Sequence, residues 1–515
     1  MVEEKYKLKI KTVDELVTIL EPRPRKSKVI MCHGTFDVVH PGHIRHLLYA
    51  KSKADILVAS LTCDAHIEKS NFRPYVPEDL RALNLAAFDM VDYVIIDMAP
   101  TPLSNLRDIK PDYFAKGFEY VESGLPQKTA DEKSVLDEFG GELIFSPGDV
   151  VYSSSILIDT APPNISIEKL LSLMDGYDLT FETFRNTVNK IADARVLVVG
   201  DTIVDSYTHV SLIGGQTKTP TISVSYENRT DFVGGAGIVA KHLNSAGADV
   251  ELLTVLGNDP LREYVENDLT TAGVSINIIS DGLRPTTNKN AIVCDSYRLL
   301  KIDTVDNQPI SNEILEKFCF SISESKADAI IFSDFRHGIF NHTTISAMTE
   351  SIPEGMFRVA DSQVASRWGN ILEFQNFDLV TPNEREARFA LGDQDSVIRP
   401  LAKRLYENLH CKNLILKMGE RGLISYQEGF DIEDVRAFFV VDSFADNVVD
   451  AVGSGDALLA YATLTHIHSG NLVLASIIGS FAAAIECEKE GNVPVTTEDL
   501  FEKIDWVERK SRLHQ

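Results

Sequence analysis

The sequence is poor in cysteine and tryptophan, and it has neither a basic tract nor a long apolar run. Its six cysteines, Cys32, Cys63, Cys294, Cys319, Cys411 and Cys487, stand apart with no CxxC pair. That spacing argues against a structural zinc site and against a disulfide framework, and the six read as buried thiols in a reducing compartment. No uninterrupted apolar stretch reaches the roughly 20 residues that span a bilayer. Met1–Lys7 is charged and leads into no apolar segment, so the expectation is a cytoplasmic protein with no membrane partner. Fifty Lys and Arg face 76 Asp and Glu, a formal net charge of -26. A surface of that sign repels polynucleotides, and no basic run offsets it, so no nucleic-acid partner is expected and the anions bound should be small molecules.

The chain has 515 residues, of which 44% are hydrophobic and 24% charged. It is globular in composition and too long for one core. From Lys28 to about Ser155, short β-branched runs (Lys28–Cys32, Asp55–Ser60, Val91–Ile96, Gly141–Phe145) alternate with amphipathic segments, the rhythm of a parallel sheet with crossover helices. A second series opens at Arg195–Gly200 and continues through Asp249–Leu256, Asp328–Phe332, Phe357–Ala360, Phe377–Val380 and Asn413–Lys417. The fold class is therefore α/β, two doubly wound domains in tandem: residues 1–160, a helical connector 161–194, and residues 195–515.

The first strand runs out through His33-Gly34-Thr35-Phe36-Asp37, where such folds bind nucleotides. Pro41-Gly42-His43 then starts a helix whose free amides favour phosphate. His40 and His43 sit three residues apart, able to donate to charge growing on an α-phosphate and a departing pyrophosphate. An isolated HxxH pair is equally compatible with capping or core histidines. The surrounding residues resemble the cytidylyltransferase-like nucleotidyltransferases, whose G-x-F-D-x-x-H-x-G-H pattern is met by Gly34, Phe36, Asp37, His40, Gly42 and His43. The resemblance continues through Lys69, Arg73-Pro74-Tyr75, Glu78, Arg81, Lys116-Gly117-Phe118-Glu119-Tyr120 and Ser153-Ser154-Ser155. It implies that His40 and His43 are catalytic, that Gly34, Thr35, Phe36 and Gly117 contact nucleotide, and that Lys69, Arg73, Arg81, Lys116 and Ser153–Ser155 hold phosphate. Asp149-Val150-Val151-Tyr152 departs from the Arg-Thr-Glu-Gly of glycerol-phosphate cytidylyltransferases, which leaves the donor base, CTP or ATP, and the acceptor open.

Near the C-terminus, Asp450-Ala451-Val452-Gly453-Ser454-Gly455-Asp456 opens an apolar helix. Amides at Gly453, Ser454 and Gly455 could hold a transferring phosphoryl group while Asp456 takes the proton of an attacking hydroxyl. A plain helix cap would look similar. From Arg195 to about Val495 the chain resembles ribokinase-like (PfkB) sugar kinases, through Gly200-Asp201-Thr202-Ile203-Val204-Asp205, Gly234-Gly235-Ala236 and Thr381-Pro382-Asn383-Glu384-Arg385-Glu386. That resemblance implies Asp456 as base, Asp201, Asp205, Gly234 and Gly235 at the sugar, Lys289 at its phosphate, and Asn383 and Glu386 near Mg²⁺ and phosphate, with Glu386 the candidate metal ligand. Ile238 stands where the family has Asn. Asp361-Ser362-Gln363 replaces the D-P-K of heptose kinases, which removes a cation.

Together the halves are similar to the bifunctional heptose kinase/adenylyltransferases with the domain order inverted. The implied function is phosphorylation of a sugar or polyol by ATP and transfer of a nucleotidyl group from ATP or CTP to a sugar phosphate, giving an NDP-activated sugar for a surface glycan. The implied cofactor is Mg²⁺, and the implied partner is a second copy, through a strand lid near Leu212–Val224. The alternative is a CTP-dependent polyol-phosphate cytidylyltransferase whose kinase-like half only binds or assembles.

Overall fold

The computed structural model describes residues 2–67, 74–117, 127–146, 166–215, 222–295, 297–363, 370–432, 434–489 and 491–513. The chain divides into two compact units, Met1–Ile165 and Ser166–Gln515.

In the first unit, five parallel strands, β1 (Val29–Gly34), β2 (Ile56–Thr62), β3 (Tyr93–Asp97), β4 (Tyr113–Gly117) and β5 (Glu142–Ser146), lie in the order β3-β2-β1-β4-β5. The alternating faces of β1 explain its unbroken apolar run: Ile30 and Cys32 enter one buried cluster, Val29 and Met31 another, so both faces are covered. Strand order reverses between β1 and β4, and the crevice beyond their carboxyl ends is where doubly wound sheets take ligands.

Two buried side chains shape that edge. Asp37, 1% exposed, accepts hydrogen bonds from the backbone amides of Tyr75 and Val76, both at 2.8 Å. Arg81, fully buried, donates to the carbonyls of Val76 and Thr62, each at 2.9 Å, to the Thr35 carbonyl, and to Asp64 Oδ1 at 2.5 Å. It ties the β1 and β2 exit loops to the helix Glu78–Ala86 that carries it.

The second unit is built on a nine-stranded sheet. With β6 (Arg195–Gly200), β7 (Thr202–Gly215), β8 (Ile222–Gly235), β9 (Asp249–Leu256), β10 (Ser275–Ser280), β11 (Asn288–Cys294), β12 (Tyr297–Thr304), β13 (Ala329–Asp334), β14 (Phe357–Ser362), β15 (Leu379–Val380), β16 (Asn413–Lys417), β17 (Leu423–Tyr426) and β18 (Phe438–Val441), its order is β10-β9-β6-β13-β14-β15-β16-β17-β18. It is parallel through β16, and β17 and β18 are antiparallel. A separate four-stranded sheet, β12-β11-β7-β8, forms a lid. Order reverses between β6 and β13, so the carboxyl ends of β6, β13, β14 and β16 converge on one edge.

The segment read as a connector contains the helices Ser166–Gly176 and Phe181–Val188, and both belong to the second unit's core. Ile167, Leu170, Met174, Phe184 and Val188 join the buried cluster of the main sheet, and Arg185 donates to Asp505 Oδ1 at 2.7 Å on the helix Thr497–Leu513. Their apolar face at three- and four-residue spacing needs a sheet to cover it.

Both tryptophans, Trp368 and Trp506, fall in the second unit's sequence, so tryptophan fluorescence follows that unit and circular dichroism follows both. Arg81→Met leaves buried carbonyls and Asp64 without their cation and should cost the first unit about 3 kcal/mol. In urea titrations the dichroism transition moves to lower denaturant while the fluorescence transition stays.

Candidate active sites

In the first unit the chain leaves β1 at Gly34 and turns through Thr35 and Phe36, the latter in a left-handed conformation (φ 49°) with its ring buried. Phe36 packs against His43, ring centroids 5.2 Å apart. His40 caps the helix Pro41–Lys51, its Nδ1 accepting from the Gly42 amide at 3.1 Å. Capping and stacking coincide, because the His40 and His43 rings lie 4.0 Å apart at 31°. Burial first, then the neighbouring His40 and His46 rings, pushes the His43 pKa down to about 4. At neutral pH it is an uncharged imidazole, and its Nδ1 is buried without a hydrogen-bond partner. An imidazole so placed at a helix N-terminus can donate one N–H to phosphoryl oxygens that the helix amides also face.

One further turn along, His46 bonds through Nδ1 to Ser146 Oγ at 2.9 Å, at the end of β5, and burial holds it near 4 as well. Sequence reading missed this residue, although His40, His43 and His46 repeat at three-residue spacing on one helix face. His33 is also drawn into the edge, its Nδ1 2.9 Å from Ser60 Oγ.

Two expected phosphate ligands are engaged elsewhere. Arg81 gives its donors to loop carbonyls and Asp64, so it builds the loop instead of meeting phosphate. Lys116, at the end of β4 beside Gly117, pairs with the buried Glu132 and stands 3.4 Å from Thr129 Oγ1. Its charge is spent inside the fold. Lys69, Arg73, Ser153, Ser154 and Ser155 lie outside the described residues.

In the second unit, Gly453 takes a left-handed conformation (φ 86°) before the helix Ser454–Ser469, and a Cβ there would stand 2.9 Å from both Asn492 Oδ1 and Glu486 Oε1. The first helical amides have no intrahelical acceptor and face an anion site. Asp456 lies in that first turn, 7% exposed, with Oδ1 buried and no hydrogen-bond partner among the described residues. Burial, then the charges of Asp361, Asp205 and Glu486, push its pKa up to about 8, and Lys417 opposes them. A buried, unpartnered carboxyl with a raised pKa, beside an anion site, is the environment of a general base.

Asp205 approaches from β7, and its Oδ2 accepts from Asn492 Nδ2 at 3.0 Å. Gly234 leaves room for it, since a Cβ there would come within 2.2 Å of Asp205 Oδ2. Lys289 lies over the Phe335 ring at 5.4 Å, and burial lowers its pKa while Asp205 raises it. His337 stands nearby in charge terms, its Nδ1 2.9 Å from Asn307 and its Nε2 buried without a hydrogen-bond partner. Lys289, Asp205 and His337 thus offer donors and an acceptor to a polyhydroxy ligand.

Two further expectations are corrected. Asp201 does not point at a ligand: its Oδ2 accepts from the amides of Phe335 at 3.0 Å and His337 at 3.2 Å, pinning the β13 exit loop. Glu386 does not fit a metal ligand. It closes a capping box with Asn383, one oxygen accepting from the Asn383 amide at 2.7 Å and the other from its Nδ2 at 2.5 Å. Among the described residues, no group of three or more His, Cys, Asp or Glu side chains is placed to hold a metal ion. Ile238 is fully buried in the helix Ala236–Ser245, and so is no sugar ligand. Sequence reading missed Lys417, Asn492 and His337, because each reaches the site from a distant strand end or loop.

The raised Asp456 pKa has a sign for stability. Between the unfolded value of 3.8 and about 8, the folded chain keeps a proton that the unfolded chain has lost, so this group's contribution falls as pH rises. Asp456→Asn removes that penalty. Its fluorescence-detected melting temperature should exceed the parent's by several degrees at pH 8, and the gap should close toward pH 5.

Residues 193–498 match the pfkB family of carbohydrate kinases, and residues 31–159 match the cytidylyltransferase-like family. The chain is 26% identical over 325 residues to the bifunctional protein HldE of Desulfatibacillum aliphaticivorans, covering 61% of this chain and 63% of that protein. It is 28% identical over 281 residues to the D-beta-D-heptose 7-phosphate kinase of Bordetella bronchiseptica, covering 53% and 83%. The chain therefore spans 63–65% of the length of the first bifunctional relatives it matches. Escherichia coli phosphofructokinase-2 in complex with fructose-6-phosphate superposes with a TM-score of 0.51 at 14% identity, over 61% of this chain and 100% of that one. That likeness is one of fold. Among the described residues no helix is long and apolar enough to cross a membrane. The kinase match extends over more than half of the sequence, and the protein belongs to the pfkB family of carbohydrate kinases, with a cytidylyltransferase-like region ahead of the kinase.

Proposed function

We propose that this protein is a cytoplasmic bifunctional enzyme. Its second unit phosphorylates a phosphorylated sugar or polyol with ATP, and its first transfers a nucleotidyl group from an NTP to a sugar phosphate, releasing pyrophosphate. The observation that carries the reading is the presence in one chain of two separate helix-N-terminal anion sites, each with its proton-handling or donor side chain in place: His40 and His43 at Pro41, and Asp456 at Gly453. The names of the relatives, HldE and a heptose 7-phosphate kinase, favour a heptose phosphate as acceptor and ATP as nucleotidyl donor. Lys289 and the buried His337 supply cationic and N–H groups suited to an acceptor's phosphate.

In the kinase the acceptor hydroxyl gives its proton to Asp456 while the amides at Gly453–Gly455 take the charge of the moving phosphoryl group. Mg²⁺ would arrive on the triphosphate, since Glu386 is committed to its capping box. In the transferase, the neutral imidazoles of His40 and His43 donate to the α-phosphate and the leaving pyrophosphate.

With ATP, Mg²⁺ and a panel of heptose and other sugar phosphates, two activities should separate by substitution. Asp456→Asn should lose ATP-dependent phosphorylation by at least 10³-fold and keep pyrophosphate release; His43→Ala should do the reverse. Pyrophosphate release with no sugar phosphate tested, or phosphorylation that survives in Asp456→Asn, would overturn the reading. The parent's kcat/KM for phosphorylation should rise with pH toward about 8, following the base.

The lid sheet exposes Leu212, Ile222, Tyr226, Leu300 and Ile302, each between 49% and 69%. A contiguous apolar strand face of this kind calls for a cover, and a second copy of the same lid is the occupant we assign. Light scattering should give a mass of two chains for the parent and one for Ile222→Asp.

A further inference from the structure

Resting on the kinase reading, the heart of the second site contains a charge that neither the sequence motifs nor the base accounts for. Lys417 ends β16, and its side chain is only 14% exposed. Its backbone amide donates to the Pro382 carbonyl at 2.8 Å, which ties this strand end to the Asn383–Glu386 turn. Its ammonium lies 2.8 Å from Asp361 Oδ1, and that same oxygen accepts from Thr381 Oγ1 at 2.9 Å. On its other side Lys417 Nζ stands 3.2 Å from where a Cβ on Gly455 would be. The cation is therefore pressed against the middle of the helix turn that offers its amides to phosphate.

Its surroundings need it. Asp361, Asp205 and Glu486 all act on Asp456 with the sign that opposes ionisation, and Lys417 is the cation that acts with the other sign. A triphosphate brought to so acidic an edge would be repelled without a local positive charge. Lys417 remains charged despite its burial, because Asp361, Glu386 and Asp456 raise its pKa. The cation missing at Gln363 is thus replaced from another strand, one position inward from the anion site. We propose that Lys417 is the cation that meets the γ-phosphoryl group at the Gly453–Gly455 amides, held in place by Asp361 and Thr381.

During transfer the acceptor's hydroxyl oxygen bonds to the γ-phosphorus as the bond to the β,γ-bridging oxygen breaks. ADP departs with that electron pair, and the hydroxyl proton passes to Asp456. Lys417 donates to the non-bridging oxygens throughout and exchanges no proton. Its contribution is largest when their charge peaks, so it acts on kcat more than on acceptor KM.

The test compares Lys417→Met and Lys417→Arg in the full chain by steady-state phosphorylation and by titration with AMP-PNP and ADP. Lys417→Met should lower kcat about 100-fold with acceptor KM within threefold, and should abolish the preference for AMP-PNP over ADP. Lys417→Arg should recover kcat to within tenfold of the parent. Nucleotide bound by the transferase unit is common to all three proteins and cancels in the comparison. If Lys417→Met does not fold, Lys417→Met/Asp361→Asn removes both buried charges and is read against Asp361→Asn alone. A kcat within threefold of the reference, an equal loss in Lys417→Arg, or an unchanged AMP-PNP preference would each overturn the proposal. If no sugar phosphate is phosphorylated by the parent, the kinase reading fails by itself, and the nucleotide titrations still decide the role of Lys417.

Discussion

A chain with 26 excess negative charges can hold a triphosphate only where backbone dipoles and a few buried cations reverse the field locally. Both units meet that constraint in the same way. A parallel sheet reverses strand order, the chain leaves a strand end through a glycine-bearing turn, and a helix begins with its amides facing the crevice. What differs is the side chain placed at the first turn. In the first unit it is a stacked pair of imidazoles held neutral by burial, suited to giving hydrogen bonds to an anion. In the second it is a carboxyl denied a partner, suited to taking a proton. Each is unfavourable to the bare fold, and each is sustained by the surrounding core.

The parts of this arrangement that were legible in the sequence are those encoded by neighbours in the chain. The loop Gly34–His43 and the turn Gly453–Asp456 are local, because their glycines, caps and helix starts follow from adjacent residues. Six strands of the main sheet of the second unit were found by their apolar runs, and all of them are buried on both faces. β4 escaped notice because Tyr113–Gly117 is short and ends in lysine. The lid strands escaped because they are exposed and polar, so their periodicity has no apolar signature.

Charge pairing was the least legible quantity. Arg81, Lys116, Asp201 and Glu386 have the residue types and positions of ligands, yet each is satisfied inside the fold by a partner that spacing cannot reveal: Asp64 and three carbonyls, Glu132, two loop amides, and Asn383. The converse holds for Lys417. It follows no glycine motif, and only the side-by-side placement of β14, β15 and β16 brings it to Asp361 and Thr381. An ionisable side chain's role is set by which oxygen or nitrogen the sheet order delivers to it. For the same reason the connector resisted reading. Its helices have an ordinary apolar face, and only the core shows that they belong to the kinase.

The lid hairpin has a mechanical side. β7 leaves the main sheet directly after Asp201 and β8 returns at Gly234-Gly235, so Asp205, paired with Phe232, sits at the root of a two-stranded lever. Register slips occur farther out, at His209/Val210 and Leu212/Gly214. These slips act as a clutch. An insertion or a change of pairing toward the tip is absorbed there before it reaches the root, so the outer hairpin is free to diverge with its surroundings while the carboxylate that faces the acceptor keeps its place.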